Sequence, residues 1–168
     1  PLGHRWDEQY AARPNLVFPI GVVDRPFKHD QHPLLVDVSG AGANVVILGA
    51  QGSGKTTALQ DLICAAAMTH TPEQVQFYCL AFSSAALGTV AGLPHVGGVV
   101  QALDSDGVRR TVAEMAELLA RRKRSFEAAG VMSMEVFRRR KSGQEAGTVP
   151  DDGYGDVFLV IDNYAALD

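Results

Sequence analysis

The residues best suited to chemistry form one continuous run, Gly49-Ala50-Gln51-Gly52-Ser53-Gly54-Lys55-Thr56. The run fits G-x-x-x-x-G-K-[S/T], the pattern of a phosphate-binding P-loop. Glycine lets the backbone turn tightly, so that successive N–H groups converge on phosphate oxygens. Lys55 can reach the β- and γ-phosphates of a nucleotide, and the Thr56 hydroxyl can ligate Mg²⁺. Together with the adjoining Thr57, the run predicts a site for ATP and Mg²⁺.

The elements around this run have the order that a P-loop needs. Residues 44–48 are a short apolar stretch, which predicts a buried strand entering the loop. Residues 57–68 have apolar side chains at helical spacing, and a helix starting there would direct the positive end of its dipole at the phosphates. The alternative is a chance glycine turn in front of a helix.

A second half-site is predicted at Asp162. Residues 157–161 are all apolar and lead directly into this carboxylate, which is the form of a Walker B strand. A carboxylate at the carboxyl end of a buried parallel strand lies where ligands bind in open α/β sheets, and it can hold Mg²⁺. Any buried strand that ends in aspartate would look similar.

The next residue, Asn163, bears on catalysis. Many hydrolytic P-loop ATPases carry glutamate at this position, as the base or orienting group for the attacking water. An amide can hydrogen-bond a water but cannot accept its proton at neutral pH. With Lys55, Asp162 and Asn163 as candidate catalytic residues, we predict a site that binds ATP and hydrolyses it poorly. Whether the chain is an enzyme is left open.

Composition narrows the class of protein. The chain has 168 residues, of which 46% are hydrophobic and 20% charged, with a net charge of −4. These values fit one globular domain and give no general attraction to nucleic acid or anionic membranes. Cys64 and Cys79 both lie in apolar segments, so we expect buried, reduced thiols of a cytosolic protein. Residues 1–4 could be a cloning remnant.

The remaining segments divide the chain into an N-terminal part and a core. Residues 5–43 mix extended apolar stretches with prolines and predict a hairpin or small sheet, which would line the adenine side of the site or contact another domain. Residues 44–168 form the predicted core, with a strand over 75–82 and another after Pro94. Asp104 is a predicted helix N-cap, and Ser133 caps a second helix through residue 140. The core-facing stripe of the first helix is predicted as Val108, Val112, Met115, Leu119 and Phe126.

Ten of the fifteen basic residues fall between positions 109 and 141. They are Arg109, Arg110, Arg121, Arg122, Lys123, Arg124, Arg138, Arg139, Arg140 and Lys141. Such a cluster can form a contact surface for DNA or for an acidic protein. Solvated helix faces with long side chains over apolar surface are the alternative. The only aromatic residues that interleave with these charges are Phe126 and Phe137, and both suit a core position. The sequence therefore favours the second interpretation or a protein contact over DNA.

The chain as a whole resembles the FtsK/SpoIIIE class of RecA-like motors. It is most similar to the tandem ATPase domains, the second or third, of the EccC family of type VII (ESX) secretion. The resemblance covers nearly all of residues 16–168 and rests on segments 19–26, 77–80, 93–99, 114–115, 121–126, 130–131, 137–138 and 155–162. It implies a RecA-like α/β fold in which a parallel sheet is flanked by helices.

The resemblance also implies a cellular context. In that family the first ATPase domain usually keeps the catalytic glutamate, so Asn163 suggests a later domain. Implied partners are other ATPase domains of the same chain, neighbouring subunits in a hexameric assembly, membrane subunits of the secretion complex, and exported WXG100-type substrates. The implied location is the cytoplasmic face of the inner membrane.

Two features depart from the family pattern. Residues 81–84 read Ala-Phe-Ser-Ser, where many members have an acidic residue followed by glycines. This difference removes a carboxylate from the predicted site and weakens the case for efficient hydrolysis. Domains of this class also continue with further strands that carry a sensor and usually a trans-acting arginine, whereas six residues follow Asp162 here. We therefore expect a partial core with an exposed sheet edge.

Two other functions fit parts of the pattern. A DNA-translocating motor would share the P-loop and Walker B residues, but the acidic net charge and Asn163 argue against it. An interaction module that does not depend on nucleotide would use the same pocket for a linker of a neighbouring domain or for a signal segment of a substrate.

Overall fold

The computed structural model describes residues 16–40, 44–83 and 85–167; residues 1–15, with the suspected cloning remnant, lie outside this part. No helix in the described ranges is long and apolar enough to cross a membrane. The strands are β1 (Val17–Arg25), β2 (Asp30–Asp37), β3 (Val75–Ala81), β4 (Val96–Gln101) and β5 (Asp156–Asp162). The helices are α1 (Lys55–Thr69), α2 (Ser105–Ala129) and α3 (Met134–Lys141). Short 3₁₀ segments cover Pro26–Lys28, Ala85–Val90 and Tyr164–Leu167.

The N-terminal segment forms the predicted hairpin. Strands β1 and β2 pair antiparallel from Val17–Asp37 to Arg25–Asp30, with an irregularity between Pro19 and Gly21. The base of the hairpin is part of the main core, because Phe18 is fully buried and its ring meets His70 edge-on at 5.3 Å. The tip is exposed around Phe27. The two roles considered for this segment, lining the adenine site or contacting another domain, both stay predictions.

The central sheet has the order β4-β3-β5 and is parallel throughout. Strand β3 lies in the middle, and Val75, Phe77 and Cys79 are fully buried. These three residues share one face, and on the other face Leu80 is fully buried while Gln76 and Tyr78 are half-buried. The strand is therefore covered fully on one face and partly on the other, which agrees with its mostly apolar sequence. Phe77 stacks on Phe158 of β5, with ring centroids 5.5 Å apart. Pairing of Ala81 with Asp162 brings the carboxyl ends of β3 and β5 to the same level.

The main core lies between this sheet, α1 and the base of the hairpin. Ile63 and Ala66 of α1 are fully buried against it, which agrees with the predicted apolar side of that helix. His95, just before β4, is also buried, and its Nε2 bonds the carbonyl of His70 at 2.8 Å. This bond ties the end of α1 to the start of β4. It accounts structurally for the histidine in the Leu-Pro-His-Val segment.

The strand predicted at residues 44–48 is absent, so that prediction is wrong. The segment has no regular secondary structure, and the side chains of Val46 and Leu48 are 77% and 88% exposed. A strand exists only through hydrogen bonds to its neighbours. Within the described residues the parallel sheet ends at β5, and no strand pairs with this segment. The apolar run therefore has neither a ladder partner nor a covering layer.

The stripe predicted to face the core on α2 is only partly correct. Val108, Met115 and Phe126 are half-buried, but Val112 and Leu119 are 45% and 70% exposed. Leu118, which the prediction did not include, is buried. Helical periodicity identifies apolar arcs but cannot say which arc the sheet covers. The helix is capped as predicted, because the Asp104 carboxylate accepts the Gly107 N–H at 2.8 Å. Gly130 ends it in the left-handed conformation, with φ +62°.

Helix α3 and the loop after it complete the described fold. Ser133 caps α3 by accepting the Val136 N–H at 3.2 Å, as predicted. Phe137 of α3 is buried against Phe126 of α2, with ring centroids 5.0 Å apart. The prediction of two buried thiols holds only for Cys79, since Cys64 is exposed. The reason is that Cys64 lies on the side of α1 opposite Ile63 and Ala66.

Candidate nucleotide site

The glycine-rich run adopts a turn whose backbone conformation favours glycine at particular positions. Gly52 and Gly54 have φ values of +75° and +85°, in the left-handed region that favours glycine. A Cβ at Gly49 would lie 2.4 Å from the Ser53 Oγ, so a side chain there would force Ser53 to shift. The sequence pattern therefore reflects backbone conformation at Gly52 and Gly54.

The side chain of Lys55 folds back over this turn. Its ammonium group donates to the carbonyls of Gly49 at 3.0 Å and Ala50 at 2.8 Å. The lysine therefore lies at the mouth of the loop, where two carbonyl oxygens of the loop accept hydrogen bonds from its charged group. A phosphate oxygen entering the loop would compete with these two carbonyls for the same donor.

The start of α1 and the end of β5 meet at this site, as the sequence predicted. The Thr56 hydroxyl donates to the Asp162 carboxylate, 3.1 Å from Oδ1 and 3.0 Å from Oδ2. Asp162 is almost fully buried, with 3% of its surface exposed. The two candidate metal ligands therefore touch each other directly.

A third side chain reaches the same carboxylate, and sequence reasoning did not identify it. The hydroxyl of Ser83, in the turn after β3, donates a hydrogen bond to Asp162 Oδ2. The sequence had shown only that this turn lacks an acidic residue. A signal was nevertheless available, because polar residues at the carboxyl ends of adjacent parallel strands converge on one edge of the sheet.

Asn163 follows Asp162 at the same edge and is exposed. Its φ of +68° places it in the left-handed region, where asparagine is one of the few non-glycine residues found regularly. Backbone conformation is thus a reason for asparagine at this position, separate from any effect on catalysis. The turn continues into the 3₁₀ segment with Tyr164, which is 73% exposed.

The donor set fits ATP with Mg²⁺. The first helical hydrogen bond of α1 runs from Ala58 N–H to Gly54 O at 2.9 Å, so the N–H groups of residues 55–57 precede the helical ladder and remain for an anion. A Cβ at Gly52 or Gly54 would meet nothing within 4 Å, so the loop face is open. Hydroxyl and carboxylate oxygens are the hard ligands that Mg²⁺ prefers. Thr56 and Asp162 would hold the cation, which would neutralise phosphate charge.

The basic stretch is largely occupied with structural contacts. Arg122 forms two hydrogen bonds with Asp152, at 2.6 and 3.1 Å, and Arg138 pairs with Asp156 at 2.7 Å. Further contacts to carboxylates or backbone carbonyls are made by Arg109, Arg139, Arg140 and Lys141. Six basic residues of the stretch are exposed at the surface: Arg109, Arg110, Arg121, Lys123, Arg124 and Lys141. This distribution agrees with the structural interpretation of the cluster.

The pKa values of the two buried, paired carboxyl groups shift in opposite directions. Burial raises the pKa of Asp156 above its ordinary value, and the adjacent Arg138 guanidinium only partly opposes that effect. Burial also acts on Asp152, but the hydrogen bonds and charge of Arg122 outweigh it, so the pKa of Asp152 is lowered. The Arg122–Asp152 pair attaches α2 to the loop before β5, and the Arg138–Asp156 pair attaches α3 to the first residue of β5.

A separate cavity of about 210 Å³ lies at the opposite end of the sheet. It is lined by residues that precede β3 and β5, including Gln74 and Gly155, and by Phe137 and Lys141 of α3. Asp162 and Ser83 stand at the other ends of these strands. The cavity is therefore not part of the candidate nucleotide site.

A parallel α/β sheet with this loop defines the class of P-loop ATPase domains. Over residues 3–167 the chain matches the FtsK/SpoIIIE family, and it belongs to that family. The predicted family and the predicted fold class are thereby confirmed.

Known relatives place the chain more closely within the family. It is 68% identical over 166 residues to the ESX-5 secretion system protein EccC5 of Mycobacterium tuberculosis, covering 99% of this chain and 12% of that protein. The cytoplasmic domain of the Thermomonospora curvata type VII secretion ATPase EccC superposes with a TM-score of 0.85 at 43% identity, covering 95% of this chain and 18% of that one.

A second solved structure contains ATPases 2 and 3 of Thermomonospora curvata EccC in complex with a signal sequence peptide. It gives a TM-score of 0.84 at 43% identity, over 95% of this chain and 28% of that one. The chain therefore corresponds to a small part of each of these longer relatives.

Proposed function

We propose that this chain is an ATP-binding domain of a type VII secretion ATPase and that it hydrolyses ATP weakly. The observation that carries the proposal is the meeting of the glycine-rich loop and Asp162 through the Thr56 hydroxyl, at 3.0 and 3.1 Å. This contact assembles the phosphate-binding half and the metal-binding half of the site from distant parts of the sequence.

The residues proposed for binding are the loop and its flanks, 49–57. Backbone N–H groups of Gly52, Gly54 and the first turn of α1 would bind phosphate oxygens. Lys55 would exchange its two carbonyl contacts for phosphate, while Thr56 and Asp162 would bind Mg²⁺. These roles rest on the donor chemistry and on the open face of the loop.

Weak hydrolysis is proposed because neither of the two described residues at the positions where a base is expected, Asn163 and Ser83, carries one. Asn163 carries an amide, and the turn after β3 presents the hydroxyl of Ser83 instead of a carboxylate. Neither side chain can take a proton from water at neutral pH. ATP would then act mainly as a ligand that biases the packing of this domain against its neighbours.

The secretion context is supported by the identity to EccC5 and by the likeness to EccC ATPase domains. We infer that the chain works as a second or third ATPase domain beside other ATPase domains, in an assembly at the cytoplasmic face of the membrane. The solved relative with a signal sequence peptide supports exported proteins as the substrates of the whole machine, and we propose that these are of the WXG100 type. DNA translocation is supported less, because most of the basic stretch is engaged in structural contacts.

Calorimetric titration of Mg-ATP into the chain tests the nucleotide site. We expect micromolar binding by the wild type and its loss in Lys55→Ala. The control is Lys123→Ala, which removes an exposed lysine of α2 and should leave the affinity unchanged. Absence of binding by the folded wild-type chain would contradict the proposal and favour the nucleotide-independent interaction module.

A further inference from the structure

Ser83 lies in the turn directly after β3, beside the strand that carries Asp162. Strands β3 and β5 are paired in parallel up to Ala81 and Asp162. Beyond this pair, the Phe82 N–H donates to the Asp162 carbonyl at 3.1 Å, so the turn stays attached to β5 by its backbone. Ser83 itself is exposed, and its hydroxyl lies above the end of β5, where it meets Asp162 Oδ2.

The Asp162 carboxylate is thus held by hydroxyls from two different elements. Thr56 approaches it from the first turn of α1, and Ser83 approaches it from the turn after β3. With 3% of its surface exposed, the carboxylate has little access to water that could replace either donor. A buried carboxylate with two fixed donors has fewer accessible rotamers than one with a single donor.

The hydroxyls of Thr56 and Ser83 differ in whether they also bind the proposed cation. Thr56 belongs to the glycine-rich run, and its oxygen is the proposed Mg²⁺ ligand, so its position is shared between the cation and Asp162. Ser83 lies outside that run and bonds the carboxylate. The Ser83 bond can therefore keep Asp162 oriented whether or not Thr56 turns toward a cation.

We propose that Ser83 is a positioning residue of the cation site, which orients the Asp162 carboxylate for the Mg²⁺ that accompanies ATP. The inference rests on the proposed nucleotide site and adds to it a residue from a third element. Ser83 acts through Asp162, so removing its hydroxyl should weaken the contribution of Mg²⁺ to ATP affinity. The loop that binds the phosphates should be unaffected, because its contacts come from residues 49–57.

The test compares ATP titrations in Mg²⁺ and in EDTA for wild type, Ser83→Ala and Ser83→Thr. One lost hydrogen bond corresponds to a change of roughly 3- to 10-fold in affinity. We expect Ser83→Ala to lose about that factor in Mg²⁺ and to match the wild type in EDTA. Ser83→Thr keeps the hydroxyl and should stay within about twofold of the wild type in both media. Ser125→Ala, a serine of α2 bonded to the Arg121 carbonyl, is the matched control and should change neither titration.

Several results would overturn the inference. An equal loss in Mg²⁺ and EDTA would show that Ser83 supports the loop or the fold, whereas unchanged affinity in both media would show that its hydroxyl has no role. If Ser83→Ala does not fold, the pair Ser83→Val and Ser83→Thr, which are equal in shape, decides the same question. If the wild-type protein binds ATP in neither medium, the proposal of a nucleotide site is wrong, and the inference on Ser83 is wrong with it.

Discussion

The Thr56 hydroxyl donates to both oxygens of the Asp162 carboxylate, although 106 positions separate the two residues in the sequence. Thr56 lies in the first turn of α1 and Asp162 ends β5, so the bond joins two elements that are far apart in the sequence. In the described structure the carboxylate is buried with hydroxyl partners and no cationic side chain beside it. We expect a buried carboxylate of this kind to contribute to ligand binding more than to the free energy of unfolding.

Replacing Asp162 by asparagine should therefore separate stability from function. We expect the metal-free Asp162→Asn protein to unfold at the wild-type temperature or about 2–4 °C higher, because a buried charge is removed. In the presence of ATP, Mg²⁺ should no longer raise its melting temperature. Thermal unfolding followed by circular dichroism measures both. Asp61→Asn, at an exposed position of α1, is the control. A melting temperature far below that of the wild type without metal would contradict this view.

Substitutions of Asn163 test whether backbone conformation selects this residue. At a φ of +68°, glycine should be tolerated, while alanine or glutamate should lower the free energy of unfolding by about 1–2 kcal/mol. Urea unfolding gives these values. Because of the strain, Asn163→Glu should not produce efficient phosphate release, even though it restores a carboxylate. A stable Asn163→Glu protein with rapid turnover would show instead that asparagine matters only for catalysis.

The Arg122–Asp152 pair should contribute stability that depends on pH. Both groups are largely buried, so Arg122→Met should lower the free energy of unfolding by about 3 kcal/mol near pH 7. The pKa of Asp152 is lowered in the folded state, so the pair's contribution is fully present above the unfolded value near pH 4. It is lost as the pH falls through the lower, folded pKa.

Urea titrations at neutral and acidic pH measure this difference. The gap between wild type and Arg122→Met should shrink below about pH 4. Arg124→Met, on the exposed side of the same helix, should stay within about 0.5 kcal/mol of the wild type at each pH. A deficit in Arg122→Met that is the same at every pH would mean that packing on Phe137, and not charge, supplies the effect.

The two cysteines should react at very different rates. Cys64 is exposed on α1, whereas burial of Cys79 in β3 raises its thiol pKa to about 12. At pH 8, iodoacetamide should therefore label one thiol of the folded chain and both thiols in concentrated urea. Mass spectrometry of the digested protein identifies the labelled residue. Equal labelling of both thiols without denaturant would mean that β3 opens readily.

Much of the fold follows from local pattern. The caps at Asp104 and Ser133, the stop at Gly130 and the central strand β3 all lie where residue type and spacing predicted them. Two predictions failed for one shared reason. The apolar run at 44–48 and the residues Val112 and Leu119 are apolar enough to be buried, but burial also needs a neighbouring layer. Periodicity describes an element and contains no information on what packs against it.

The sequence by itself determined the chemistry of the loop, because glycine at two left-handed positions, the lysine and the threonine can be recognised without knowing any contact. It also determined that Asp162 ends a buried strand. Only the tertiary structure decided that Thr56, Ser83 and Asp162 share one hydrogen-bonded cluster. The physical reason is that strand order and register, set by hydrogen bonds between distant segments, bring the ends of α1, β3 and β5 together.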